Sequence, residues 1–235
     1  MTNEEFSNGF DVLVSSYRRF RDFDNKEPLD TIEFNEYEKS LFLTKAQDEL
    51  VVSLYNGRNA IGESFEETEE LRRYLSNLVC DAELDPITGS YGILGLDSHS
   101  KFFTLPYDLW FITYESVSID NGDCAGHTSL DVYPVTQDEY HKVKRNPFRG
   151  TNKRRALRLD LSDGVIEIIS KYNVVKYYMR YLRKARPIIL VDMPNGLTIN
   201  GLDRFCPCEL HEALHQRLLE AAVRMALQSK IGSKN

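Results

Sequence analysis

Apolar residues recur with a helical period over the first 80 positions, with a strand-like period through the middle, and with a helical period again at the end. That switch of period constrains the fold more than any other feature, because a helical stripe and a strand face need different partners to be buried. Thr2 with Glu5 forms a capping-box pattern ahead of Phe6, Phe10, Leu13, Val14, Tyr17 and Phe20. Lys26 to Thr31, containing Pro28, reads as a connector. Asn35 with Glu38 repeats the capping pattern ahead of Tyr37, Leu41, Ala46, Leu50 and Leu54, and Gly57 predicts the stop. Ser64 with Glu67 predicts a third helix through Leu71, Leu75 and Leu78. Amphipathic helices of this length do not stand alone in water, so all three must pack on an apolar surface.

From about residue 85 the signals are those of strands. Pro86, Gly89, Gly92 and Gly95 punctuate a turn-rich stretch, and strand-like runs follow at 101–105, 109–116, 129–133, 156–161 and 165–170. Asp163-Gly164 between the last two predicts a tight hairpin. The runs 174–182 and Pro187–Val191 read as further strands, and Thr136 with Glu139 predicts a brief helix ending before Pro147. Helical period then returns. Pro207 suits a first helical turn, and Leu210, Ala213, Leu214, Leu218, Ala221, Ala222, Met225 and Ala226 form a broad apolar stripe. The expected fold class is therefore α+β: a helical bundle formed by the N-terminal helices and the C-terminal helix (1–84 plus 203–235), with a large β-rich insertion (85–202).

Charge is sorted along the same axis. Residues 1–140 carry ten Lys/Arg against 28 Asp/Glu, residues 141–191 carry fourteen against three, and the last 44 residues are neutral. Within the basic block, His141 to Leu159 holds eight basic residues and no acidic one. Such segregation fits a chain that stacks its own copies or grips a polyanion. The overall net charge of −7 argues against a general nucleic-acid coat and leaves a local basic face. Lys144, Arg145, Arg149, Lys153, Arg154, Arg155 and Arg158, set around Pro147 and Gly150, read as an ordered loop entering a strand. They are the candidate contact residues, for an acidic protein surface or for a nucleic acid.

Other chemistry has little support. Cys206 and Cys208 followed by His211 and His215 resemble a zinc set, but the C-x-C spacing is tight and an ordinary amphipathic helix accounts for both histidines. Neither zinc nor any other cofactor is expected. His99, His127 and His141 sit in no nucleophile constellation, and Gly92-Ile-Leu-Gly95 is too sparse for a dinucleotide loop. Glu66, Glu67, Glu69 and Glu70 read as a solvated helix start. No enzymatic activity is expected. The four cysteines, Cys124 and Cys80 among them, have uneven spacings that predict reduced thiols rather than a disulfide framework. MTNEEFSNGF has neither a basic nor an apolar signal region, and no apolar run approaches the roughly 18 residues that cross a bilayer, so no membrane partner is expected.

Four segments together carry a family resemblance: FNEYEKSLFLTKAQDELVVSLYNG (34–57), KRNPFRGTNKRRALRL (144–159), VIEIISKYNVVKYYMRYLRKARPIIL (165–190) and CPCELHEALHQRLLEAAVRMAL (206–227). In this order they resemble the head–tail connector (adaptor) ring proteins of short-tailed bacteriophages, and specifically those of the crAss-like phages. The resemblance implies a non-enzymatic virion protein of the neck or tail, assembled in the host cytoplasm. It implies a ring of about twelve copies below the portal protein, in contact with other neck or tail rings, through which genomic DNA passes. The simplest adaptors lack a large β-insertion, so the middle of this chain would be an elaboration. A nucleic-acid-binding regulator using the basic block is the alternative expectation.

Overall fold

The computed structural model describes residues 1–22, 33–58, 62, 64–65, 67–88, 95–120, 128–194 and 196–232. The Lys26–Thr31 connector, Glu66, Gly89, Gly92, Cys124 and His127 lie outside the described residues. The chain forms two compact units, one of residues 1–78 with 185–235 and one of residues 79–184. It is a mixed α+β protein with five α-helices and a seven-stranded sheet among the described residues.

The first unit holds helices α1 (Asn3–Asp22), α2 (Glu36–Tyr55), α3 (Glu69–Leu75) and α5 (His215–Gly232). Both N-terminal capping boxes form. Thr2 Oγ1 accepts from the Glu5 amide while Glu5 accepts from the Thr2 amide, and Asn35 and Glu38 exchange the same pair of bonds. Gly57, at φ +71°, follows the C-cap of α2. Phe6, Phe10 and Val14 of α1, Leu43, Ala46, Val51 and Leu54 of α2, and Leu218, Leu219, Ala222, Val223 and Ala226 of α5 form the apolar interior. Gly9 lets α1 approach α5 closely, since a Cβ there would lie 2.8 Å from Leu219 Cδ2.

Helix α2 also buries a polar row, and this row replaces a strand that the sequence predicts. Pro187–Val191 joins no sheet; it is extended chain with a single bridge between Ile189 and Cys206. Helix α2 supplies further hydrogen bonds to this segment and to Arg186 just before it. The Leu190 amide donates to Ser40 Oγ at 3.1 Å, the Ile188 amide to Thr44 Oγ1 at 3.1 Å, and Gln47 Nε2 to the Arg186 carbonyl at 2.8 Å. The spacings agree for the first pair: four helical residues rise about 6 Å and two extended residues about 6.6 Å, so positions 40 and 44 keep step with 190 and 188, and the longer Gln47 side chain reaches the next carbonyl from three residues on. Asn3 Nδ2 completes the set by donating to the Ile189 carbonyl at 2.8 Å.

Two helix starts differ from expectation. Ser64 and Glu67 do pair, yet they close a turn, and α3 begins at Glu69 after Thr68. Pro207 lies outside any helix, because Cys206 is held in the bridge to Ile189; a short 3₁₀ turn at Glu212–Leu214 then leads into α5.

The second unit is one sheet in the order β1-β7-β3-β4-β5-β6-β2, comprising β1 (Val79–Leu84), β2 (Lys101–Thr104), β3 (Leu109–Asp120), β4 (Thr128–Pro134), β5 (Arg155–Asp160), β6 (Val165–Ile169) and β7 (Asn173–Arg183). Residues 79–84, placed with the helices by the sequence reading, pair with β7 instead. Asp163 and Gly164 have φ +59° and +69°, the conformation the β5–β6 hairpin requires. All neighbours are antiparallel except β4 and β5. A parallel pair cannot be joined by a tight turn, so the chain must cross back outside the sheet. That crossover contains helix α4 (Tyr140–Arg145) and residues 146–154. Tyr140 and Val143 pack with Leu157, Leu159 and Ile169 on one face, while Ala156, Ile166 and Ile168 join the large core on the other. Covering both faces is why β6 is buried at every position.

Candidate docking surface on the crossover

The parallel β4–β5 pairing is what brings the basic block to the surface. Its polar residues must leave the sheet to make the return, and the crossover carries them. The loop 146–154 is held by its own side chains. Asn146 Oδ1 accepts from the amides of Phe148 at 2.9 Å and Arg149 at 3.3 Å, and Asn152 Oδ1 from the Arg154 amide at 2.8 Å. The Gly150 amide donates to the Asn146 carbonyl at 2.8 Å, and a Cβ at Gly150 would stand 2.9 Å from that oxygen. Only glycine lets the loop fold back so closely on the end of α4.

The seven candidate cations separate into three kinds. Arg158 is interior: its side chain is 11% exposed, Nη1 donates to Glu115 Oε2 at 2.9 Å, and Nε lies 3.0 Å from Asp160 Oδ1. Tyr177 donates its hydroxyl to the same Glu115 oxygen at 2.8 Å. Burial raises the Glu115 carboxyl above its usual range despite the arginine beside it. Burial and the same carboxylate push the Tyr177 hydroxyl well above its ordinary value. Arg158 therefore organises the sheet and presents no charge to a partner.

Arg155 and Lys144 are braces. Arg155 Nη1 donates to the Phe148 carbonyl at 2.7 Å, and its guanidinium lies 4.2 Å from the centre of the Tyr133 ring. Lys144 Nζ donates to Asp97 Oδ2 at 3.0 Å and stands over the Tyr140 ring. The bond between them holds the Asp97 carboxyl below its ordinary range and the Lys144 ammonium above its own. This pair closes one side of an open polar cleft of about 620 Å³, lined also by His99, Arg145, Asn152 and Lys171.

Arg145, Arg149, Lys153 and Arg154 are exposed and make no side-chain ion pair or hydrogen bond with another described residue. They are the chemically available part of the block. Between them stands Phe148, 84% exposed. Composition marks the cations, whereas nothing in the local sequence marks this ring as exposed. The available signal is its place between Pro147 and Arg149 in a polar, glycine-containing loop.

The possible zinc set does not gather. Cys206 is buried in the bridge to Ile189, Cys208 Sγ lies 3.8 Å from Gln47 Oε1, and His211 accepts from the Ala213 amide at 3.3 Å. His215 is buried between the Met1 amino group and the Leu210 carbonyl, and burial lowers its pKa. Burial likewise pushes the Cys208 thiol up to about 11. Among the described residues no three His, Cys, Asp or Glu side chains come together as a metal set. Among them, too, no helix is long and apolar enough to cross a membrane. His99 sits on an exposed turn beside Asp97, and His141 is exposed next to Tyr140.

The whole chain, residues 1–235, matches the family model described as phage tail ring protein 3/4. It is similar to "Ring protein 3" of Bacteroides phage crAss001, with 48% identity over 233 residues that cover 98% of this chain and 96% of that protein. It is also similar to "Ring protein 4/5" of the same phage, with 28% identity over 235 residues covering 96% and 92%. The chain belongs to the phage tail ring protein family, as a ring protein of the crAss-like phages.

Proposed function

We propose that this member of the ring protein family is a structural, non-catalytic component of the virion. In this reading it forms a closed ring below the portal that joins head to tail and continues the channel for genomic DNA. The observation that carries the reading is family membership over the full length of the chain. The helical unit then corresponds to the bundle of simpler adaptors, and the seven-stranded sheet is the elaboration. A ring of about twelve copies needs a heterologous interface, in which one surface of each subunit meets a different surface of the next. Acidic residues in 1–140 and the exposed cations of the crossover, which have no ion-pair partner among the described residues, supply two such surfaces. Their complementarity also disfavours wrong pairings, since like-charged faces repel.

The test is a symmetry-resolved reconstruction of the particle neck together with a charge-reversal variant. The reconstruction is expected to show this chain as a ring between the portal and the tail. Absence of the chain from the particle refutes the proposal. Arg149→Glu, Lys153→Glu and Arg154→Glu combined should leave the melting temperature within about 2 °C of wild type, because none of these side chains has an ion-pair or hydrogen-bond partner among the described residues. The same variant should lose incorporation into particles. Free chain that binds duplex DNA tightly, with affinity falling steeply as salt rises, would favour the nucleic-acid-binding regulator instead.

A further inference from the structure

Phe148 is held out in water by a loop that has no freedom to hide it. Asn146 fixes its amide, Arg155 fixes its carbonyl, and Gly150 locks the turn behind it. An exposed ring on a mobile loop carries no argument, because scattered surface apolar residues are ordinary. An exposed ring on a braced loop that also carries Arg149, Lys153 and Arg154, all exposed and without an ion-pair partner among the described residues, has the make-up of an interface anchor. Aromatic and arginine side chains dominate binding energy, and an anchor ordered in advance loses little entropy on docking.

We propose that Phe148 is the apolar anchor of a contact between copies of this chain, seated on the acidic N-terminal part of the next copy. The inference rests on the ring reading above and names the partner of that surface. The occupant follows from charge. Residues 1–140 carry 28 acidic residues against ten basic, whereas 141–191 carry fourteen basic against three. A two-fold contact would set one basic loop against another and is disfavoured. A head-to-tail contact sets each loop against carboxylates, with Phe148 desolvated at the centre and the cations around its rim.

Phe148→Ala and Phe148→Leu in the full-length chain test the anchor, each scored as copies per particle by quantitative mass spectrometry. Phe148→Ala is expected to cut incorporation about tenfold or more with an unchanged melting temperature, and Phe148→Leu to restore most of it. Wild-type incorporation of Phe148→Ala overturns the anchor. A zero-length amine–carboxylate cross-linker applied to wild-type particles tests the occupant through Lys153. A covalent dimer joining Lys153 to an Asp or Glu within residues 1–140 of a second copy is expected. Linkage of Lys153 only to a different protein, or no linkage, overturns the assignment. If particles contain rings of this chain while Phe148→Ala assembles normally, only this inference fails; if they contain no such ring, the proposed function fails first.

Discussion

Arg158→Ala should behave unlike any other substitution in the basic block, because it acts inside the sheet. The side chains of Arg158 and Glu115 are 11% and 10% exposed, and Asp160, the second carboxylate near the guanidinium, is largely in water. Removing the arginine leaves a buried carboxylate whose one remaining hydrogen-bond donor among the described residues is the Tyr177 hydroxyl. Breaking a buried pair in this way costs about 3–5 kcal/mol, and the low end applies here because both groups keep some contact with solvent. At roughly 4 °C per kcal/mol for a unit of about 100 residues, the melting temperature should fall by about 12 °C. The single tryptophan, Trp110, lies in β3 of the same sheet, so its fluorescence during guanidinium unfolding reports this unit. Combining Arg158→Met with Glu115→Gln should recover most of the loss, since both charges leave together and the amide oxygen still accepts from Tyr177. A loss below about 1 kcal/mol for Arg158→Ala, or a double variant no better than the single one, would refute the interior role.

Two further outcomes follow from the helical unit. Burial depresses the His215 pKa, so the unfolded chain takes up this proton before the folded one does. Its contribution to stability is complete above pH of about 6.5 and is lost as pH falls below that value. Comparing melting temperatures of wild type and His215→Gln from pH 7.5 to 5 should show the steeper acid loss in wild type; parallel curves would contradict it. Thr44→Val keeps the shape of the side chain but leaves the buried Ile188 amide without an acceptor, a cost of about 1–3 kcal/mol. Chemical unfolding should show that loss, with Ser40→Ala adding a comparable one at Leu190.

The legible elements were those specified by neighbours in sequence. The Thr2–Glu5 and Asn35–Glu38 boxes, the Gly57 stop and the Asp163-Gly164 hairpin each depend on contacts a few residues apart, and each forms. The misread segments depend on distant partners. Val79–Leu84 turns Cys80, Ala82 and Leu84 toward the core, but its Asp, Ala and Glu residues obscure a strand that only β7 completes. Pro187–Val191 has the composition of a strand, and nothing local says that Ser40, Thr44 and Gln47 of a helix will supply its hydrogen bonds. Those polar residues lie on the buried face of α2, so Tyr37, Leu41 and Leu50 of the predicted stripe are only half-buried. The exposure of Phe148 is invisible in the sequence because it is decided by how Asn146, Gly150 and Arg155 close the loop.

The charge block shows the same division within nineteen residues. Composition located it, yet charge counting treats Arg154 and Arg158 as equivalent, and their surroundings make them opposites. One lies in the crossover, with no ion-pair partner among the described residues; the other alternates inward from β5 onto Glu115. The alternation of β5 decides it: Ala156 and Arg158 share a face, and that face is the large core. An arginine that enters a core needs its carboxylate built in first, and Glu115 on β3 with Tyr177 on β7 provides this from two strands remote in sequence. What remains outside is a smaller set, Arg145, Arg149, Lys153 and Arg154, on the same crossover as one exposed ring. A surface reduced in this way is better suited to one specific protein contact than to a polyanion, which rewards the number of cations more than their arrangement.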